Sequence, residues 1–266
     1  GTYTGEGVLT LDGVNYTIPM KVVVHKASLP DYRTNKNYFG AWFDQIEKCV
    51  GSEHYNRYTR DQYLNFFYDK NVNAGAYREG DWGSEPETYA NLIATKVAGN
   101  NKITTYRSVF NGGSYTSQEI TDYLQALVSK NIEMLEQGKD VNFFEKLMTY
   151  FLDEPSAPED WQKLRTFNTM FKSAIDSLKD QLNDYPEVKE SFVNQVSVTP
   201  FNQARNEDNY DALITPCPTY DYLNSQTERD AYHQNFNQVW WYGCIVPVLP
   251  YPTFHLDGSL TGIRML

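Results

Sequence analysis

Lys146-Leu147-Met148-Thr149-Tyr150-Phe151-Leu152-Asp153-Glu154-Pro155 is an apolar run that ends in two adjacent carboxylates and a proline. Such a run reads as a buried strand, Leu147 to Leu152, which Pro155 stops before the next helix. In a parallel (β/α) barrel the C-terminal ends of the strands form the mouth where catalytic side chains collect. Glycosidic bond hydrolysis needs an acid at the leaving oxygen and a second group facing the positive charge that develops at the anomeric carbon, and Asp153 with Glu154 meets that need. Alternation along a strand sends neighbours to opposite faces, so the pair shares a pocket only if the chain has already bent. The plain alternative is that both acids end the strand and cap the helix that follows.

Outward from this stretch, the chain alternates short apolar strands with longer helical patterns, as a parallel sheet built from βα units requires. Strands are expected at Tyr38 to Phe43, Val72 to Tyr77, Ile103 to Val109, Leu147 to Leu152, Gln195 to Thr199, Ala212 to Thr215 and Val239 to Ile245. Helices are expected at Arg60 to Asp69, Ser117 to Gln137, Glu159 to Leu182 and Thr227 to Phe236, where apolar residues recur every three or four positions. The third has Pro158 and two acids in its first turn and a stripe of Leu164, Phe167, Met170, Phe171, Ile175 and Leu178 for the core.

Seven strands fit an α/β (β/α)8-type TIM barrel that lacks its last strand, since the sequence stops at Leu266 after the seventh. They also fit an open doubly wound sheet. Ala41-Trp42-Phe43-Asp44 offers no G-x-G-x-x-G phosphate loop, which argues against a nucleotide-binding version.

At the N-terminus, apolar residues alternate on either side of an Asp12-Gly13 turn, the mark of a β-hairpin. It is too small to fold alone, so residues 1–30 are expected to be the end of a β-sandwich and its linker, and residues 31–266 the barrel. The chain begins with Gly1 rather than Met, from which removal of a signal peptide and an extracellular or cell-surface location are expected.

Composition narrows the partners. With 34 acidic and 23 basic residues the net charge is −11, and no run of Lys or Arg could follow a phosphate backbone, so nucleic acid is excluded as an expected partner. No segment approaches the ~20 apolar residues of a membrane span. The 21 Tyr and 5 Trp suit a cleft that stacks sugar faces, although many of these rings must be ordinary core. Cys49, Cys217 and Cys244 form no C-x-x-C pair and are expected to be free thiols, while His25, His54, His233 and His255 show no ligand spacing, so neither metal nor cofactor is expected.

The segment Tyr150 to Pro155, together with Val239-Trp240-Trp241-Tyr242, Pro247, Tyr251-Pro252 and the run toward Arg264, resembles a bacterial domain of unknown function allied to glycoside hydrolase family 123. The opening hairpin with Ile18-Pro19-Met20-Lys21-Val22 and Leu29-Pro30 is similar to that family's passage from sandwich to barrel. The resemblance implies a retaining β-N-acetylgalactosaminidase-like enzyme in which the sugar's own 2-acetamido oxygen attacks the anomeric carbon. It implies that Asp153 orients the acetamido group and stabilises the oxazolinium-like intermediate, and that Glu154 is the general acid and then the base. The family's closing strand, a Gly-x-x-Tyr-Trp-like segment, is not found among the 266 residues, so the barrel is expected to lack that wall.

Expected substrate contacts are Trp240, Trp241 and Tyr242 at the end of the seventh strand, Tyr77 and Arg78 at the end of the second, Tyr106 beside Arg107 on the third, Asp44 beyond the first, and His54 before a Tyr- and Arg-rich loop. The expected partner is a glycan with a terminal β-N-acetylhexosamine. The rival readings are a non-catalytic carbohydrate-binding barrel in a multidomain surface protein, and a glycosidase whose carboxylate nucleophile comes from another strand.

Overall fold

A computed structural model of the chain describes residues 1–24, 47–48, 50–69, 85–98, 100–201, 206–219 and 225–241. The expected strands Tyr38 to Phe43 and Val72 to Tyr77, and residues 242–245 of the seventh, lie outside the described residues. The chain divides into two compact units, Gly1–Lys36 and Asn37–Leu266.

The first unit holds an antiparallel hairpin, β1 (Thr2–Leu11) and β2 (Val14–Val23). Asp12 and Gly13 both take positive φ, 49° and 78°, the backbone of the tight turn whose twist matches paired strands. Directly opposed residues share a face, so Tyr3↔Val22, Gly5↔Met20, Gly7↔Ile18, Leu9↔Tyr16 and Leu11↔Val14 form one apolar face. The other face pairs Thr4 with Lys21, Glu6 with Pro19 and Thr10 with Asn15.

The second unit is mixed α/β. Among the described residues its helices include α1 (Arg57–Asp69), α2 (Pro86–Ile93), α3 (Ser117–Glu136), α4 (Phe143–Lys146), α5 (Pro158–Leu178), α6 (Pro186–Val193) and α7 (Gln226–Asn235). A four-stranded parallel sheet runs β3 (Tyr106–Arg107), β4 (Leu147–Thr149), β5 (Val196–Phe201), β6 (Thr215–Pro218), with spatial order equal to chain order. The sixth expected strand is therefore displaced. Ala212 ends a 3-10 turn, Glu207–Ala212, that Asn206 opens by accepting from the Asp208 amide at 3.1 Å, and the strand begins only at Thr215.

Alternation splits the sheet's side chains between two cores. Tyr106, Leu147 and Phe201 join the large core built with the helices, whereas Met148, Val196, Val198 and Cys217 form a small cluster on the opposite face, with Tyr150 and Trp240 against it. In the large core Phe167 of α5 stacks on Phe151 at 3.9 Å and 6°, with Phe110 edge-on to Phe167 at 5.5 Å and to Phe171 at 6.0 Å. This aromatic block fixes the chain immediately before Asp153.

Two helix starts show how local chemistry sets the frame. Thr116 and Glu119 form a capping box on α3, Thr116 N donating to Glu119 Oε2 at 2.7 Å and Glu119 N to Thr116 Oγ1 at 3.2 Å. At α5 the amides of Ser156 and Ala157 both donate to Asp160 Oδ2 at 3.1 Å. These bonds hold both carboxyls below their ordinary values, Asp160 through the Ser156 and then the Ala157 amide, Glu119 through the Thr116 amide and then its hydroxyl. A folded-state pKa below the unfolded one adds stability that is complete above the unfolded value and lost as pH falls through the folded one. The melting temperature is therefore expected to fall below about pH 4, and Asp160→Asn is expected to make that fall shallower, as pH-dependent calorimetry would show.

Candidate functional site

The chain leaves β4 after Thr149 but does not yet leave the sheet. Ser108 N donates to Met148 O at 2.9 Å, Gly112 N donates to Phe151 O, and Glu154 N donates to Pro200 O at 3.1 Å, so the two acids sit beside the C-terminal end of β5. Gly112 serves this approach with φ 49°, where a side chain would be strained. Glu154 itself has φ 46°, unusual for a residue with a β-carbon and more so before a proline. That left-handed residue is the bend that strand alternation alone would not supply, and strain of this kind, about 1–3 kcal/mol, persists only where the surroundings impose it.

Asp153 is exposed and Glu154 half-buried. Neither is the N-cap of α5, a position held by Ala157, and the Ser156 and Ala157 amides go to Asp160. Asp153 instead accepts from the Tyr150 hydroxyl, Oη to Oδ1 at 2.5 Å. Tyr150 lies two residues past Met148 on the face away from the helices, where Arg107 of β3 reaches it twice. The guanidinium donates from Nη2 to Tyr150 O at 2.8 Å, and its carbon stands 4.3 Å from the centre of the Tyr150 ring. Burial first, then the hydrogen bond to Asp153 and its charge, push the phenol well above its usual range, with Arg107 acting the other way. Cys217, a buried free thiol on β6, is likewise pushed up by burial and by the charge of Asp153, so it stays protonated at this edge of the site.

Trp240 completes the group. Its amide donates to Pro216 O at 2.9 Å, so the chain runs beside β6 here, and its half-buried side chain packs against the cluster that also holds Tyr150. Val239 turns to the large core and Trp241 is 43% exposed. Residues 239–241 carry no strand assignment.

Of the remaining expected contacts, Asp44, Tyr77, Arg78 and Tyr242 lie outside the described residues. Tyr106 does not join the group: it points to the helix side, 3% exposed in the large core, and it is the next residue, Arg107, that faces Tyr150. His54 is exposed in the turn before α1, its Nε2 3.6 Å from Glu53, and its carbonyl accepts from Thr59 Oγ1 at 2.7 Å. Among the described residues no group of His, Cys, Asp and Glu is arranged to hold a metal ion, and no helix is long and apolar enough to cross a membrane.

Sequence reasoning did not name Tyr150 as a substrate contact, and it named Arg107 with Tyr106 as a donor pair for sugar hydroxyls or an acetamido carbonyl. Tyr150 carried a signal, since it shares the face of Met148 and sits three positions before Asp153, but the reach of Arg107 across the sheet is a tertiary fact. No protein-family model matches the chain, and no curated protein matches it.

Proposed function

We propose that the protein is a retaining glycoside hydrolase that removes terminal β-N-acetylhexosamine, N-acetylgalactosamine in the first instance, from glycans outside the cell by substrate-assisted catalysis. The observation that carries this reading is the Asp153–Glu154 pair at the C-terminal end of a central parallel strand, with Asp153 tied to Tyr150 and Glu154 on a left-handed backbone. Four parallel strands in consecutive order, with residue 240 alongside the last, favour a singly wound barrel over a doubly wound sheet, whose order must reverse.

In this mechanism the substrate's acetamido oxygen attacks the anomeric carbon as the glycosidic bond breaks. Asp153 accepts the acetamido N–H and faces the positive charge that spreads into the oxazolinium ring. Glu154 donates its proton to the leaving oxygen, then takes one from the water that opens the ring and returns the β-anomer. Trp240 offers an indole face to the sugar.

The test is release of aglycone from aryl β-N-acetylhexosaminides against the matching 2-hydroxy glycosides. Cleavage confined to the acetamido series is expected, and equal cleavage of both would point to a carboxylate nucleophile instead. Glu154→Gly makes a second check. It removes the acid and lets the backbone relax, so turnover is expected to vanish while stability in urea is unchanged or higher by up to about 1 kcal/mol. A marked loss of stability would make Glu154 a structural residue.

A further inference from the structure

We propose that Tyr150 is a positioning residue for the Asp153 carboxylate, held in turn by Arg107, so that one carboxylate oxygen belongs to the phenol and the other is left for an amide N–H of the substrate. This rests on the glycosidase reading above and adds to it the residues that orient its acetamido receptor.

Three observations converge on it. The phenol meets Asp153 Oδ1 at 2.5 Å, and among the described residues it is the one hydrogen-bond partner of that carboxylate. Arg107 fixes Tyr150 by backbone and ring together, at 2.8 Å and 4.3 Å, just beyond the last paired residue of β4, where the ladder itself no longer holds the chain. A half-buried phenol beside a carboxylate keeps its proton throughout the neutral range, so Tyr150 stays a donor to Oδ1.

An exposed aspartate at a chain bend would otherwise sample several rotamers. With Oδ1 engaged the carboxylate plane is set, and Oδ2 becomes the acceptor presented to ligand. The chemistry selected is a neutral N–H donor. A 2-hydroxyl is a poorer match, because the oxygen that must attack is absent from it.

Tyr150→Phe tests this, because it keeps the ring under Arg107 and deletes only the hydroxyl. We expect a melting temperature close to wild type, KM little changed, kcat on aryl β-N-acetylhexosaminides lower by about 10- to 100-fold, and a parallel loss of affinity for a thiazoline analogue of the bicyclic intermediate. Arg107→Lys keeps the charge but loses the planar fork, and its loss should fall between. A tyrosine carrying 13C at Cζ reads the phenol without turnover: the Tyr150 resonance, assigned by its disappearance in Tyr150→Phe, should move in Asp153→Ala. An unmoved resonance overturns the proposal, as does an active Tyr150→Phe with wild-type kcat and thiazoline affinity. If wild type cleaves no acetamido sugar while the resonance moves, the glycosidase reading fails and the hold on Asp153 stands.

Discussion

Glu154→Gln is expected to lower kcat by about 10²- to 10⁴-fold on aryl β-N-acetylhexosaminides with poor leaving groups, and far less on dinitrophenyl glycosides, whose leaving group needs no proton. The asymmetry follows from the role assigned to the carboxyl. An acid that protonates the leaving oxygen matters in proportion to that oxygen's basicity, whereas a residue that only shapes the pocket affects all leaving groups alike. Glutamine keeps the size and the backbone, including the φ of 46° that the bend at this position demands. Steady-state kinetics over a series of phenols would measure the effect, and a flat dependence would remove Glu154 from the acid role.

Phe167→Ala is expected to cost about 3–5 kcal/mol, the largest stability effect among the substitutions considered, read as a lowered urea midpoint. Phe167 is 1% exposed, stacks on Phe151 at 3.9 Å and meets Phe110, Tyr115 and Phe171 edge-on or stacked. Truncation loses the burial of the ring and leaves a space that the rings of Phe110, Tyr115, Phe151 and Phe171 cannot close together. Phe167→Leu should cost about 1–2 kcal/mol, since most of the volume remains. Phe151 is two residues from Asp153, so the loosened core should also reduce turnover well below the unfolding midpoint.

These two residues mark what was and was not legible in the sequence. The stripe carrying Phe167 repeats every three or four positions, and a helix with that period and an acidic first turn must bury that side, so α5 and its place in the core were readable. β4 was readable in place but not in length, since the run Leu147 to Leu152 was expected to be strand throughout and pairing stops at Thr149, before the two carboxylates. The hairpin turn at Asp12-Gly13 was fixed by local backbone chemistry alone. The short helices α2 and α6 went unread although each has proline in its first turn, because eight residues give barely two turns of periodicity.

At the site, alternation gives the period of a strand but not its phase. On a strand as short as Tyr106–Arg107, choosing the tyrosine over the arginine required knowing which side the helices cover, and that is decided by α2 and α3 rather than by the pair itself. Tyr150 was only partly legible for a related reason. Its hydroxyl meets Asp153 beyond the last paired residue of β4, where strand alternation no longer gives direction, and its ring is held by a cation from a strand some forty positions earlier.

The central claim is that the substrate's own acetamido group attacks while Asp153 receives its N–H and Glu154 supplies the proton. The most direct test is the hydrolysis rate of aryl β-N-acetylgalactosaminides whose acetyl group carries zero, one, two or three fluorines, since each fluorine weakens the carbonyl oxygen as a nucleophile without changing the leaving group. The account predicts that kcat/KM falls steeply and steadily with fluorine number. A rate indifferent to fluorination, or no release from any member of the series, would contradict it.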